Sequence, residues 1–252
     1  MALPDVTERF SNRVADYVRH RPTYPAPLLD QLVAKLALGP GSAIADLGSG
    51  TGISAKLFVE RGITVYAVEP NEPMRQAAEA ELGRSPFFHS VPGSAEATTL
   101  ADRSVDAVVA FQAFHWFDPT KTRVEMKRIL KPGCLVALVW NERLADTPFL
   151  AAYEALLQRE SPDYAEVEHR NAYAKIVEFF APEKPLEIVA KNEQVFDRDA
   201  FFGRVFSSSY VPKSGPAHET FRVALDRMFD EYAMSGKVTF RYDTKAFLGR
   251  LV

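Results

Sequence analysis

Cysteine is almost missing: among 252 residues there is one, Cys134. That excludes an internal disulfide framework and a thiolate metal cluster. Its setting, Gly133-Cys134-Leu135-Val136, reads as the start of a buried strand in which the thiol packs. The histidines His20, His89, His115, His169 and His218 are scattered without ligand spacing, so no metal site is expected. Neither charge sign dominates: 30 basic against 33 acidic residues give a formal net charge of −3. A nucleic-acid partner would therefore meet no general basic field. The one local excess, Arg9, Arg13, Arg19, His20 and Arg21, is interleaved with acids. No apolar run is long enough to span a bilayer, and Met1-Ala2-Leu3-Pro4-Asp5 soon gives way to a polar helix. A cytoplasmic protein without stable membrane insertion is expected. Internal repeats, low-complexity runs, nucleophile motifs and paired catalytic acids are also missing. What remains is an ordinary globular composition, 47% hydrophobic and 25% charged, suited to one α/β domain with insertions.

The informative stretch is Ala45-Asp46-Leu47-Gly48-Ser49-Gly50-Thr51-Gly52, answered by Val65-Tyr66-Ala67-Val68-Glu69-Pro70. The first reads as a buried strand entering a glycine loop, with Ile53, Leu57 and Phe58 on the helix that follows. The second is the next strand, tipped by a carboxylate. Strand, glycine turn, helix and acid-tipped strand form the half-unit that binds a nucleoside at the carboxyl edge of a parallel sheet. Glycines let backbone approach the ligand, and the acid accepts from ribose hydroxyls. The dinucleotide fingerprint needs its third glycine three positions after the second. Here that position is Ile53, and the third glycine comes early, at Gly52. Asp46 at the mouth would repel a pyrophosphate and attract an ammonium.

Along the chain, Asp5 to Arg19 predicts a helix with Phe10, Val14, Tyr17 and Val18 on one face, ended by Pro22. A second helix carries Leu28, Leu29, Leu32, Val33 and Leu36 inward. Strands are expected at Ala43–Leu47, Thr64–Glu69, Phe87–Val91, Val105–Phe111 and Leu135–Trp140, alternating with helices. That alternation predicts a doubly wound parallel sheet. Leu186–Val195 reads as a sixth strand, and Val238-Thr239-Phe240-Arg241-Tyr242 alternates like a last one. One domain is expected: residues 1–25 a flap helix, 26–142 the cofactor core, 143–183 and 198–236 helical lid insertions, and 237–252 the last strand.

Asp46 and the glycine loop resemble motif I of the class I S-adenosylmethionine-dependent methyltransferases. Further pieces match that superfamily: Gly93-Ser94-Ala95-Glu96, Asp102-Arg103-Ser104-Val105-Asp106, Gln112-Ala113-Phe114-His115-Trp116-Phe117-Asp118 and Lys131-Pro132-Gly133. Tyr17-Val18-Arg19-His20-Arg21-Pro22-Thr23-Tyr24-Pro25 and Trp140-Asn141-Glu142-Arg143 are similar to the trans-aconitate methyltransferase-like small-molecule group. The resemblance covers residues 8 to 143 and the terminal strand; the lid carries no matching motif. It implies a Rossmann-like, seven-stranded, mostly parallel sheet and S-adenosylmethionine as cofactor. Gly48, Ser49, Gly50, Thr51 and Gly52 would wrap the methionine part, and Glu69, with Pro70 and Met74 beside it, would hold the ribose diol. Ser94, Ala95 and Glu96 would flank the adenine, and Gln112 and Ala113 the cleft. Many relatives carry Asp where this chain has Ser94; a hydroxyl also accepts from the adenine amino group.

The resemblance also puts Tyr17 and Arg21 over the cofactor, Arg21 on its carboxylate. The other reading is that Tyr17 fills an apolar helix face and Arg21 is solvated. His115 is the candidate catalytic base, with Trp116 beside it in the acceptor wall; a packed histidine supporting Trp116 is the alternative. Arg143 either clamps an acceptor carboxylate or pairs with Glu142 or Asp146 on the surface. The expected activity is in-line methyl transfer to a small molecule, with an oxygen as acceptor, that of a carboxylate among the candidates. Carbon methylation of an isoprenoid quinone, RNA methylation, an idle cofactor-binding protein and an NAD-dependent oxidoreductase are the alternatives. The oligomeric state stays open.

Overall fold

The computed structural model describes residues 21–161, 164, 170–208 and 210–251. The expected flap helix, and Tyr17 with it, lies outside the described residues. Five strands follow one another with a helix before each except β4: α1 (Ala26–Lys35), β1 (Ala43–Leu47), α2 (Ile53–Val59), β2 (Thr64–Val68), α3 (Glu72–Leu82), β3 (Phe88–Val91), β4 (Val105–Phe111), α4 (Pro119–Ile129) and β5 (Leu130–Arg143). The rest of the chain is α5 (Pro148–Glu160), α6 (Arg170–Phe180), β6 (Leu186–Phe196), α7 (Arg198–Phe206), α8 (Gly215–Tyr232) and β7 (Val238–Gly249). The strands form one sheet in the order β3-β2-β1-β4-β5-β7-β6. β1 to β5 are parallel, and β7 runs antiparallel to both β5 and β6. This is the doubly wound, Rossmann-like α/β sheet that the alternation predicts.

Capping residues set several helix starts. Asn71, Asp118, Thr147 and Asp197 each accept from a backbone N–H in the first turn of α3, α4, α5 and α7. β5 exceeds its expected range because its C-terminal end, Trp140 to Arg143, pairs with Lys245 to Tyr242 of β7. A partner more than 100 residues away in sequence leaves no local signal for that extension.

The core has three parts. Leu28, Leu29 and Leu32 of α1, Phe58 of α2 and Ala78 and Leu82 of α3 cover one sheet face, against Ile44, Val65, Ala107, Val109 and Val139. The neighbouring residues Ala45, Val108, Ala110, Val136 and Leu138 point to the opposite face, under Met126 and Ile129 of α4. Strands buried on both faces read as continuous apolar runs, which is why β4 is so clear in the sequence. The third part joins α5, α7 and α8 over Phe240 and Tyr242 of β7, through Tyr153, Phe201, Phe221 and Leu225. It forms a lid beside the carboxyl edge of the sheet. α6 does not belong to it: Ile176, Phe179 and Phe180 pack on the α4 face of the sheet. The insertion expected at 143–183 therefore splits between lid and sheet cover. Periodicity identifies its helices but cannot say which surface they meet.

Candidate functional site

β1 lies between β2 and β4, with Asp46 opposite Ala67 and Val109. This fixes the place where the chain leaves the sheet into the loop Gly48–Gly52. Gly48 N and Ser49 N donate to Val68 O at 2.8 and 3.2 Å, tying the loop to the end of β2. Gly48, Gly50 and Gly52 all have positive φ. A Cβ on Gly48 would stand 2.7 Å from Ala113 Cβ, and one on Gly52 would stand 3.0 Å from Leu82 Cδ1. The loop thus needs glycine both for its turn and for close packing.

Two carboxylates are buried beside it. The Glu69 oxygens accept from Gly50 N at 3.0 Å and Asn71 N at 2.8 Å. Burial raises the Glu69 pKa above the usual carboxylate range, and those two amides counter the rise. A carboxylate has about four lone-pair sites, so acceptor capacity remains for a diol. Asp46 is fully buried; Ser54 Oγ donates to its Oδ2 at 2.6 Å, and Oδ1 is buried with no hydrogen-bond partner among the described residues. Burial pushes Asp46 up to about 7, with the Ser54 bond opposing and the Glu69 charge adding to the rise. An orphaned buried oxygen suits a ligand that brings a hydrogen-bond donor.

A cavity of about 180 Å³ opens on this loop. Glu69, Pro70, Asn71 and Met74 form one wall, and Ser94, Ala95 and Glu96 a second. Ala113, Trp116 and Phe117 form the third. Ser94 Oγ accepts from Glu96 N at 3.3 Å, and Glu96 Oε1 accepts from Asp118 N at 2.9 Å. Glu96 thereby braces the start of α4. The residues assigned to the nucleoside side are brought together as expected. Trp116 joins them, rather than the acceptor wall where it was expected.

A second cavity, about 290 Å³, meets the first at Gly48, Gly50, Phe111 and Gln112. Gln112 adopts φ 52°, and its Oε1 accepts from Asn141 N at 2.6 Å. Asn141 and Asn192 both donate to Thr23 O, at 3.3 and 2.8 Å, so β5 and β6 anchor the elbow after Arg21. Tyr24 stacks edge-on against Phe111 with ring centroids 4.6 Å apart. The elbow brings Arg21 into the cavity with Ser49 and Thr51, and Arg21 donates to Ser207 O at 3.3 Å.

The far end of this cavity holds Arg143, Glu154, Tyr164, Arg204, Tyr210 and Tyr242. Arg143 is not on the surface: its side chain is 12% exposed, pairs with Glu154 at 2.5 Å and lies over the Tyr153 ring at 4.4 Å. Its expected surface partners are engaged elsewhere, Glu142 with Lys245 and Asp146 with Arg241. Burial raises the Tyr164 and Tyr153 phenols well above their usual value, so both stay protonated. Arg204, Tyr210, Tyr164 and Glu154 carry no sequence motif. They come from different lid elements, and only folding assembles them.

His115 stands apart from both cavities. It lines a third cavity, with Phe114, Arg123, Lys175 and Phe179, and borders neither the glycine loop nor Arg143. Its ring lies 4.5 Å from Trp116 and 5.6 Å from Trp140 between centroids. The short helical turn Phe114–Trp116 after β4 rotates it away from the strand end. Among the described residues no group of His, Cys, Asp and Glu could hold a metal, and no helix is long and apolar enough to cross a membrane.

Residues 45–138, from β1 to β5, match the family model described as a methyltransferase domain. An uncharacterised methyltransferase of Mycobacterium tuberculosis is 40% identical over 139 residues, 55% of this chain and 54% of the relative. A demethylmenaquinone methyltransferase of Renibacterium salmoninarum is 30% identical over 54% of this chain and 57% of its own. The chain thus spans about half the length of these curated relatives. Among solved structures, a candidate type II methyltransferase from Anaeromyxobacter dehalogenans has 26% identity and TM-score 0.69, covering 92% of this chain and 98% of that one. A methyltransferase from Geobacter sulfurreducens, in complex with S-adenosyl-L-homocysteine, shares the fold at 16% identity and TM-score 0.53, covering 98% and 100%.

Proposed function

We propose that this protein transfers the methyl group of S-adenosylmethionine to an oxygen of a small molecule held under the lid, a carboxylate being the favoured acceptor group. The cofactor is S-adenosylmethionine. The observation that carries the reading is the pair of cavities meeting at the glycine loop, one built round Glu69 and the other reaching from Asp46's loop to Arg143. The first has the acid, backbone and apolar walls that suit an adenosine. The second has room for the amino-acid part and a small acceptor.

The bound cofactor supplies a methyl group already activated on a sulfonium, so an acceptor oxygen attacks its carbon in line as the carbon–sulfur bond breaks. The chain then has to align, desolvate and hold. Asp46 Oδ1 offers its open acceptor to the cofactor's ammonium, and Arg21 at the same end suits its carboxylate. Glu69 holds the ribose end. Gln112, locked by Asn141, forms the partition between the two halves. Alignment of this kind supplies much of the barrier reduction in a displacement. A carboxylate needs no deprotonation, and among the described residues lining the acceptor end there is no histidine.

Carbon methylation of a quinone is the second reading, favoured by the demethylmenaquinone relative. It fits less well: an isoprenoid tail needs an apolar channel, whereas arginine, glutamate and tyrosine hydroxyls surround this cavity. It also needs a proton acceptor, and His115 lies elsewhere.

Calorimetric titration with S-adenosylmethionine, S-adenosylhomocysteine and, as control, NAD tests the cofactor. Micromolar binding of the first two alone is expected, lost in Asp46→Arg and Glu69→Ala without unfolding. NAD binding, or unchanged affinity in both variants, would overturn the assignment. Release of S-adenosylhomocysteine with carboxylates, phenols and quinones then identifies the acceptor.

A further inference from the structure

We propose that Arg204 is an anion anchor: it holds a carboxylate of the acceptor that is not the group being methylated, and so selects the substrate. The proposal deepens the reading above and rests on it for the position of the methyl group.

Arg204 lies on α7 and is 7% exposed, yet it lines the acceptor end of the cavity. Its Nη1 donates to Ser208 Oγ at 3.2 Å, and its Nε is buried without a hydrogen-bond partner among the described residues. Its other polar neighbours are the phenols of Tyr242, Tyr210 and Tyr153. Among the described residues no carboxylate pairs with it. Every other charge at this end is matched: Arg143 by Glu154, and Glu142 by Lys245. Arg21 lines the same cavity and donates to Ser207 O, three residues from Arg204; the reading above gives it to the cofactor carboxylate. Among the described residues Arg204 is thus a buried cation without a carboxylate of its own, and burying such a charge costs several kcal/mol unless something pairs with it. A fold keeps a cation of this kind when a ligand supplies the counter-charge.

One charge calls for a monoanion. A phosphate dianion would leave excess negative charge beside Glu154, whereas a planar carboxylate suits the guanidinium fork. The anchored group is not the nucleophile. Arg204 approaches from the lid, its guanidinium carbon 5.8 Å from the Phe240 ring centroid, and the glycine loop closes the other end of the cavity. A carboxylate pinned by charge-assisted hydrogen bonds also has its lone pairs engaged. The acceptor then spans the cavity, with its anionic end on Arg204 and its reacting oxygen toward the loop. The tyrosine and Phe111 rings that line the cavity suit an aromatic or short aliphatic body.

The test uses the full chain with saturating S-adenosylhomocysteine. Benzoate and other small monocarboxylates are titrated, each against its neutral amide and against inorganic phosphate, with wild type, Arg204→Gln and Arg204→Lys. The expected result is carboxylate binding at least tenfold tighter than amide binding. It should be lost at least tenfold in Arg204→Gln and partly restored in Arg204→Lys, with S-adenosylhomocysteine affinity within twofold throughout. If Arg204→Gln does not fold, Arg204→Lys decides: because it keeps a charge but loses the fork, weakened carboxylate binding with intact cofactor binding supports the anchor, and wild-type binding overturns it. No carboxylate binding to wild type, equal binding of amides, or phosphate binding tighter than every carboxylate also overturns the proposal. If S-adenosylhomocysteine fails to bind while the carboxylate-over-amide preference persists in wild type and vanishes in Arg204→Gln, the cofactor reading falls and the anchor stands.

Discussion

Ser54 Oγ donates to Asp46 Oδ2 at 2.6 Å and leaves Asp46 Oδ1 buried and unpartnered beside the glycine loop. The two residues thus hold one half of a carboxylate in place, and the other half has no donor among the described residues. Burial lifts the group to about 7, so without ligand it changes charge near neutrality.

A cofactor ammonium pairs with the charged form of Asp46. S-adenosylmethionine affinity should therefore rise with pH through about 7 and level off above it. The stability of the ligand-free protein should run the other way. A carboxylate whose folded pKa exceeds its unfolded value of 3.8 contributes stability at low pH that is lost as pH rises toward 7. Asp46→Asn should flatten both profiles and weaken binding at least tenfold at pH 8. Calorimetry and thermal melts between pH 5.5 and 8.5 measure both; an unchanged binding profile would remove Asp46 from the site.

Gly48→Ala combines a positive φ with a Cβ only 2.7 Å from Ala113 Cβ. A loss of about 1–3 kcal/mol in stability is expected from strain and overpacking. Displacement of the loop should abolish cofactor binding. Urea melts and titration of the soluble variant test this, and near-wild-type affinity would contradict the packing described.

Arg143→Met removes one partner of a largely buried ion pair, whose Glu154 also accepts from the Tyr164 hydroxyl and Gln158 Nε2. Breaking such a pair costs about 3–5 kcal/mol when fully buried, so a loss toward the lower end is expected here. Double replacement, Arg143→Met with Glu154→Leu, should recover much of it. Additive losses in the double-mutant cycle would show that the two residues do not act as a pair.

His115→Gln should leave kcat within about threefold, because the ring faces a separate cavity and packs on Trp116 and Trp140. A catalytic base would instead contribute about 10²–10⁴-fold and put a limb near its pKa in the pH–rate profile. Steady-state kinetics across pH separates the two.

The nucleoside half was legible because its chemistry is local. Asp46, the glycines and Glu69 fall within 24 residues (46 to 69), and the strands around them are apolar runs that few other structures accommodate. Ser94, Ala95, Gln112 and Ala113 followed from the same logic, since each stands just past a strand and the carboxyl ends of parallel strands share one edge of the sheet. His115 marks the limit of that logic. It too follows a strand, but a single turn of helix sends its ring to another cavity, and spacing cannot record that rotation.

The sequence by itself determined the doubly wound sheet, the glycine turn and the acids that face it, because strand period, positive-φ turns and burial act over a few residues. The acceptor end was decided only by the tertiary structure. Arg21, Arg143, Glu154, Arg204 and Tyr210 span 190 positions and come from an elbow, a strand, two helices and a loop. Each reads alone as an ordinary polar side chain. Their charge balance exists only after the lid packs over Phe240 and Tyr242, where Arg143 has its carboxylate in Glu154 and Arg204 has none among the described residues.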